Sequence, residues 1–162
     1  MEAEVTTMNK AERIEFVISE FRKADITIDE NQADKFVRLC DFMVEYNENV
    51  NLTSITEFSE VVVKHFVDSV LPFTMVDVPQ GSSFIDVGTG AGFPAIPLLI
   101  CRPDLKGTLC DSLNKRCVYL EKACELIGVK SEIIHARSEE LGRKKRECFD
   151  FATARAVAAM PV

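Results

Sequence analysis

A glycine-rich turn between a short apolar run and a proline constrains the fold of this chain more than any other stretch. The stretch reads Ser83-Phe84-Ile85-Asp86-Val87-Gly88-Thr89-Gly90-Ala91-Gly92-Phe93-Pro94. Its apolar start predicts a buried parallel strand, and Pro94 is typical of the first turn of a helix. Glycines at every second position leave the backbone bare, as a ligand-holding loop requires. The pattern predicts a strand, a bare loop and a helix N-terminus, which together form a nucleotide-type site.

The spacing of the glycines separates the kinds of nucleotide site. A dinucleotide fingerprint would place its third glycine at Phe93, and a P-loop would need a lysine and a hydroxyl residue after the last glycine. The sequence has Asp-x-Gly-x-Gly-x-Gly from Asp86 to Gly92 instead. This pattern favours an uncharged or cationic nucleoside, and it resembles the first motif of Rossmann-like S-adenosylmethionine-dependent methyltransferases. A glycine-rich turn that binds nothing is the alternative.

Capping residues and apolar periodicity predict helices in the first part of the chain. Two capping boxes, Asn9 with Glu12 and Asp29 with Gln32, start the first two helices, and Thr56 is predicted to cap a third. Pro, Gly and Ser residues near position 80 then mark a boundary. We therefore expect an N-terminal helical extension over residues 1–80.

The remainder of the chain alternates between strands and helices. An alternating pattern of this kind predicts a parallel sheet built from right-handed βαβ units. The fold class is therefore α/β, a Rossmann-like methyltransferase fold with about four strands, over residues 81–162. The predicted strands cover 84–87, 108–111, 133–134 and 148–153, with helices at 95–101 and 112–128.

Polar residues follow the carboxyl ends of the predicted strands, where ligands bind in open α/β sheets. Asp111 lies 19 residues after Gly92, close to the offset at which a Rossmann acid accepts ribose hydroxyls. Capping of the next helix is an alternative for Asp111 and also for Ser138. The residues expected to converge on one crevice are Asp86, Gly88, Gly90, Gly92, Asp111, Ser138, Glu139 and Arg155.

Charge and cysteine content limit the partners. The net charge is −7, but residues 1–60 carry −8 and residues 61–162 carry +1, so an RNA substrate is disfavoured without being excluded. No apolar run is long enough for a membrane span, and the N-terminus has no secretory signal. The six cysteines form no C-x-x-C pair, which predicts buried reduced thiols in a cytoplasmic protein without a metal.

Five motifs in this order resemble the glucose-inhibited division protein B family, the bacterial 16S ribosomal RNA guanine-N7 methyltransferases. The resemblance runs from about the second helix to the last residue. The motifs are Asn51-Leu52-Thr53, Val62-Val63-Lys64-His65-Phe66-Val67-Asp68-Ser69, Asp86 to Pro94, Asp111-Ser112-Leu113-Asn114-Lys115-Arg116 and Thr153-Ala154-Arg155-Ala156.

The resemblance implies a cofactor, a substrate and site residues. S-adenosylmethionine would contact Gly88, Phe93, Ser138, Glu139 and Arg155. The same crevice would be faced by Asn51, His65 and Asp68, although a local hydrogen-bonded pair is the alternative for the last two. The implied partner is 16S ribosomal RNA or the small ribosomal subunit.

Methylation of guanine N7 needs no general base, because N7 carries a lone pair and no proton. Positioning is then the main demand, and Arg155 is the candidate for orienting the substrate or the cofactor carboxylate. Candidate phosphate contacts are Lys115, Arg116, Arg137, Arg143, Lys144, Lys145 and Arg146.

Three alternatives stay open beside this reading. They are a small-molecule methyltransferase, a fragment that binds the cofactor without catalysis, and a nicotinamide oxidoreductase, which Phe93 disfavours. Chains of family members are expected to continue for several strands beyond the position of Val162. The full-length protein is expected to be a monomer. We therefore expect the fourth strand to be an unprotected edge through which this chain self-associates.

Overall fold

The computed structural model describes residues 7–144 and 147–155. Helices fill the first half of this range, and strands and helices alternate in the second half, as predicted. The elements are α1 (Lys10–Lys23), α2 (Glu30–Asn47), α3 (Phe58–Val61), a π-helical segment (Val62–Val67), α4 (Asp68–Val70), a 3-10 turn (Leu71–Thr74), β1 (Ser83–Val87), α5 (Ala95–Cys101), β2 (Lys106–Asp111), α6 (Asn114–Ile127), β3 (Glu132–His135), α7 (Ser138–Lys144) and β4 (Phe151–Ala154).

The N-terminal caps follow the sequence in two of three cases. Asn9 and Asp29 cap α1 and α2 through the predicted capping boxes. The prediction of Thr56 as the third cap is wrong. Glu57 takes that position, because its two carboxylate oxygens accept hydrogen bonds from the first N–H groups of α3.

Residues 58–74 form one continuous helical stretch that changes its hydrogen-bonding pattern along its length. We call this stretch the front helix. It begins as α3, widens into the π-helical segment, returns to α-helical form in α4 and tightens into the 3-10 turn. π-Helical turns are rare and occur often at functional sites. His65 lies inside the π-helical segment, and Asp68 follows directly after it.

The four strands form one parallel sheet in the order β3-β2-β1-β4. The chain runs from β1 outward to β2 and β3 and then crosses to the other side of β1 for β4. The strand order therefore reverses at β1, where open α/β sheets bind their ligands. Val87, the last residue of β1, pairs with Cys110 on one side and Ala154 on the other.

Several element boundaries differ from the predictions for local reasons. The fourth strand begins at Phe151 rather than 148, because the Asp150 carboxylate accepts the N–H of Ser83 at 2.7 Å and turns the chain there. Pro94 caps α5 instead of forming its first turn. The helix predicted at 112–128 begins at Asn114, since the segment before it is bent into a turn.

The helical extension and the sheet share one hydrophobic core. Phe36 of α2 lies 4.9 Å from Phe66 of the front helix, measured between ring centroids, and Phe66 lies 6.0 Å from Phe93. Phe42 of α2 stacks on Tyr119 of α6 at 5.6 Å. Aromatic contacts of this kind bind the two predicted units into one packing arrangement.

Within residues 7–144 and 147–155 no helix is long and apolar enough to cross a membrane. The same residues contain no group of three or more histidine, cysteine or acidic side chains that could hold a metal ion. The cysteines are free, and four of the six are buried. The expectation that all are buried is wrong for Cys148, which is exposed, and for Cys101, which is half-buried.

We expect Gly92→Ala to unfold more easily than Gly81→Ala. Both glycines have positive φ, +96° and +77°, so both variants carry the same kind of backbone strain. A Cβ at Gly92 would lie 2.4 Å from Ile96 Cδ1, whereas a Cβ at Gly81 would have open space. The overpacking should cost about 1–3 kcal/mol more at Gly92 in urea unfolding. Equal losses for the two variants would contradict the close packing of α5 against the loop.

Candidate functional site

The glycine loop (residues 88–92) is fixed from below by Asp86. The Asp86 carboxylate is fully buried, and its Oδ2 accepts the Thr89 hydroxyl at 2.7 Å and the N–H of Ala95 at 3.3 Å. These bonds join the end of β1 to the start of α5 beneath the loop. The prediction that Asp86 contacts the cofactor is therefore replaced by a supporting role, because the carboxylate has no exposed surface.

Burial changes the acidity of Asp86. Removal from water raises the pKa of this carboxyl to about 6, and the hydrogen bonds from Thr89 and Ala95 limit the rise. The positive charge of Arg155 acts in the same direction as those bonds. Thr153 of β4 stands directly opposite Asp86 in the sheet. A carboxylate held under a ligand loop is therefore sensitive to mild acid.

The upper side of the loop is bare. Gly88 and Gly90 have φ values of +64° and +59°, which favour glycine, and a Cβ at either position would have no neighbour within 4 Å. The N–H of Gly90 donates to Asp111 Oδ2 at 2.9 Å. The loop therefore presents backbone without side chains beside the carboxylate at the end of the neighbouring strand.

Asp111 accepts two backbone hydrogen bonds at the end of β2. Its side chain is almost completely buried, and it accepts one N–H from Gly90 and, on Oδ1, one from Leu113 at 2.9 Å. A carboxylate has about four lone-pair sites, so two remain for hydroxyl donors. The bond to Leu113 shapes the turn before α6, so Asp111 has a local structural role there as well.

Leu113 is a candidate contact that the sequence analysis missed. Its side chain is 51% exposed although it is large and apolar, and its N–H is bonded to Asp111. An exposed leucine beside the Asp111 carboxylate leaves apolar surface at the carboxyl edge of the sheet. The available signal was its position two residues after the strand-end acid, at the start of a crossover helix.

Ser138 and Glu139 occupy the first positions of α7, just after β3, and both are exposed. They lie on the carboxyl edge of the sheet, as predicted. Ser138 belongs to the helix as its first residue, so it does not occupy the flanking cap position. Their contact with a cofactor remains a prediction.

Arg155 joins the end of β4 to the front helix. Its Nη2 donates to the carbonyl oxygen of Lys64 at 2.6 Å and to Asp68 Oδ2 at 3.0 Å. Its Nη1 donates to Ser69 Oγ at 3.1 Å and to the carbonyl oxygen of His65 at 3.5 Å. The guanidinium therefore holds the π-helical segment in place, and the predicted contact with substrate or cofactor remains untested.

His65 and Phe93 form the contact between the front helix and the glycine loop. Their rings stack at 4.6 Å with an angle of 19°, so the buried Phe93 ring points toward the helix rather than into the crevice. His65 Nε2 is hydrogen-bonded to Thr53 Oγ1 at 2.8 Å, and Asp68 is paired with Arg155. The alternative of a local His65–Asp68 pair is therefore wrong.

The His65 ring is neutral at physiological pH. Burial and, less strongly, the nearby positive charge of Arg155 together lower the pKa of His65 to about 4, and the charge of Asp68 partly opposes them. The ring nitrogen Nδ1 is buried without a hydrogen-bond partner among the described residues. The ring therefore acts as a flat, uncharged wall beside Phe93.

Arg116 links the segment of Asn51 to the end of β2. Arg116 donates to the carbonyl oxygen of Asn51 at 3.3 Å, and its Nη1 lies 3.8 Å from Asp111 Oδ1. This contact brings the segment of Asn51 to the carboxyl end of β2, near Asp111. Lys115, Arg137 and Arg143 are exposed, Lys144 ends α7, and Lys145 and Arg146 lie outside the described residues.

Comparison with solved structures defines the class of fold. A protein-L-isoaspartate O-methyltransferase from Plasmodium falciparum, crystallised with S-adenosyl-L-homocysteine, superimposes with a TM-score of 0.55 over 92% of this chain and 76% of that chain, at 16% sequence identity. The architecture is therefore the Rossmann-like fold of S-adenosylmethionine-dependent methyltransferases, as predicted. The chain belongs to the rRNA small subunit methyltransferase G family, whose family model matches residues 32–162.

Relatives in several bacteria support this assignment. Proteins called ribosomal RNA small subunit methyltransferase G are 46% identical in Lactobacillus acidophilus, 44% in Bacillus subtilis and 47% in Clostridium perfringens, over 91%, 92% and 82% of this chain. The chain spans 63%, 64% and 57% of the lengths of those three relatives. The predicted family is confirmed.

We expect Asp86→Asn to change how stability depends on pH. The native pKa of Asp86 is raised, so its protonated form stabilises the fold fully below pH 4, and this contribution is lost as the pH rises through about 6. The variant has no proton to lose, so between pH 4 and pH 7 it should gain up to ~3 kcal/mol of unfolding free energy relative to wild type.

Urea unfolding at a series of pH values measures this difference. The exposed Asp77→Asn variant is the matched control and should follow the wild type at every pH. A difference between Asp86→Asn and wild type that stays constant from pH 4 to pH 7 would rule out a raised pKa at Asp86.

Proposed function

We propose that this chain binds S-adenosylmethionine and transfers its methyl group to N7 of a guanine in 16S ribosomal RNA. The observation that carries the proposal is the pairing of a bare glycine loop with the Asp111 carboxylate at the next strand end. The family membership agrees with it, because the matching relatives are called ribosomal RNA small subunit methyltransferases. The proposed site of action is the cytoplasm.

The described residues fit a nucleoside cofactor. Asp111 retains acceptor capacity for two ribose hydroxyls, and the open space above Gly88 and Gly90 would admit the amino-acid portion of the cofactor. Leu113 offers an apolar surface for the base, and Ser138 stands at the neighbouring strand end. Phe93 stands where a dinucleotide fingerprint would place its third glycine, which disfavours a dinucleotide, and no lysine follows the loop as a P-loop would require.

The chemistry asks little of the protein beyond positioning. S-adenosylmethionine supplies a methyl group on a positively charged sulfur, and the guanine N7 lone pair accepts it while the C–S electrons return to sulfur, so the base takes over the positive charge. No proton is transferred in this step. The absence of a charged His65, whose pKa is lowered to about 4, is compatible with a reaction that needs no acid or base.

Basic residues on the crevice side are the proposed contacts with RNA. Lys115, Arg116, Arg137 and Arg143 stand near the carboxyl ends of β2 and β3 or on α7. Phosphate contacts of this kind position RNA without reading its sequence. The excess negative charge lies in residues 1–60, which leaves the crevice half nearly neutral. The proposed partner is 16S ribosomal RNA or the small ribosomal subunit.

We expect methyl transfer from labelled S-adenosylmethionine to 16S ribosomal RNA or to assembled small subunits, and a loss of cofactor affinity in Asp111→Asn. The single amide oxygen can accept only one of the N–H groups of Gly90 and Leu113, and the charge-assisted bonds to the ribose are lost, so calorimetry should show binding weakened roughly 10- to 100-fold. The exposed Asp77→Asn variant should bind as wild type does.

The same assay separates the alternatives. Cofactor binding without transfer would indicate a cofactor-binding fragment, and transfer to small metabolites alone would indicate a small-molecule methyltransferase. Uptake of NADH with no binding of S-adenosylmethionine would refute the proposed function.

We also propose that this chain self-associates through β4. β4 is the last strand on its side of the sheet among the described residues, and an edge strand presents unpaired backbone groups to another chain. Light scattering should show dimers or larger species that grow with concentration. The variant Ala152→Lys, which places a charge on the exposed side chain of this edge strand, should reduce them, whereas a monomeric wild-type chain would contradict the proposal.

A further inference from the structure

A cavity of about 370 Å³ lies beside the carboxyl end of β4. It is bounded by the front helix on one side and by Pro94, which directly follows the glycine loop and Phe93, on another. The residues that line it are Asp68, Ser69, Pro72, Phe73, Pro94, Ala152, Thr153, Ala154 and Arg155. Because β4 flanks β1 at the point where the strand order reverses, the cavity adjoins the proposed cofactor crevice.

The position of this cavity distinguishes it from the larger ones. A cavity of about 580 Å³ is lined by Ser82, Asp150 and residues that precede β1, and one of about 680 Å³ is lined by the first residues of β1, β2 and β3, so both lie at the amino ends of the strands. Ligands of open parallel sheets bind at the opposite, carboxyl edge. The smaller cavity is therefore the one placed to receive a methyl acceptor.

The walls of the cavity suit a flat ring. Phe73 and two prolines supply apolar surface, and Phe73 is itself held by Phe151 at 5.9 Å between ring centroids. A purine base buries its faces against surfaces of this type. The polar groups are concentrated on one side, where Asp68 and Arg155 meet.

Asp68 is positioned as an acceptor before any ligand arrives. Arg155 holds its Oδ2 at 3.0 Å, and Arg155 is itself fixed by the carbonyl oxygens of Lys64 and His65. The Asp68 side chain nevertheless remains 61% exposed. Among the described residues that line this cavity, Asp68 alone carries a carboxylate.

The proposed reaction determines which edge of the base is available for hydrogen bonds with the protein. A base that is methylated at N7 has to keep N7 free of protein donors, so recognition moves to its Watson–Crick edge. On that edge guanine presents two donors side by side, the N1–H and the exocyclic amino group. Two adjacent donors match the two oxygens of a carboxylate, which can only accept.

We propose that the cavity beside β4 holds the guanine of the methyl acceptor, and that Asp68 selects guanine by accepting its N1–H and its exocyclic N–H. This inference rests on the proposed function for the choice of base. Arg155 is then a positioning residue that fixes the carboxylate from behind. Adenine fails the selection because its Watson–Crick edge presents one donor and one acceptor.

Nucleotide binding tests the site without requiring catalysis. Isotope-labelled protein saturated with S-adenosylhomocysteine is titrated with guanosine, inosine and adenosine monophosphates while backbone amide shifts are followed by NMR. Shifts should cluster at the front helix and β4. Inosine lacks only the exocyclic amino group, so it should bind roughly tenfold more weakly than the guanosine nucleotide.

Variants assign the preference to the carboxylate. Asp68→Asn keeps an acceptor for Arg155 but replaces the second acceptor with a donor, so the difference between guanosine and inosine nucleotides should disappear. Asp77→Asn, in the cavity at the amino ends of the strands, is the control and should keep the preference. Thermal unfolding of each variant confirms that it is folded.

The outcomes separate this inference from the proposed function. No guanosine nucleotide binding at this cavity, equal binding of guanosine and inosine nucleotides, or a preference that survives in Asp68→Asn would each overturn the inference. Methyl transfer to RNA in the presence of any of these results would leave the proposed function intact. Guanine-selective binding without methyl transfer to RNA would overturn the proposed function, but the inference of a guanine-binding cavity would stand.

Discussion

The hydrogen bond between the Gly90 N–H and the Asp111 carboxylate is the interaction on which the site depends. A loop with three glycines has no side chains to pack, and ordering it is costly in conformational entropy. Asp111 fixes the loop from the neighbouring strand end, and Asp86 fixes it from below through Thr89 and Ala95. Two buried carboxylates thus hold this loop in one conformation through hydrogen bonds, whereas side-chain packing holds the rest of the sheet.

The helices that precede the sheet take part in the same arrangement. The His65 ring lies against Phe93 at the end of the glycine loop, and Arg155 binds two carbonyl oxygens of the front helix. Asp68 balances the charge of Arg155. Burial keeps the neighbouring His65 neutral, so it adds no second positive charge there. The extension is therefore a wall of the crevice, and its position is tied to the end of β4.

The sequence was sufficient to predict the features that depend on short stretches. The capping boxes at Asn9 and Asp29, the order of the strands and helices, and the offset of Asp111 from the glycine loop all follow from local patterns. The cap at Glu57 was missed because a glutamate is an uncommon cap, and only the bend of the chain brings its carboxylate over the first turn.

Long-range partners could not be read from the sequence. Arg155 and Asp68 are 87 residues apart, and no periodicity indicates that a strand-end arginine binds a helix rather than a ligand. The burial of Asp86 beneath its own loop and the orientation of Phe93 also depend on how α5 and the front helix pack. The type of residue at each site position was predictable, whereas its partner was a property of the packed molecule.

The π-helical segment adds about one extra residue to the winding of the front helix. An α-helix advances by about 100° per residue, so rewinding residues 62–67 into regular α-helical form would swing every later side chain of that helix about its axis by that angle. Asp68 and Ser69 would then no longer face Arg155. The extra winding of the π-helical segment therefore determines which side chains of the front helix meet the end of β4.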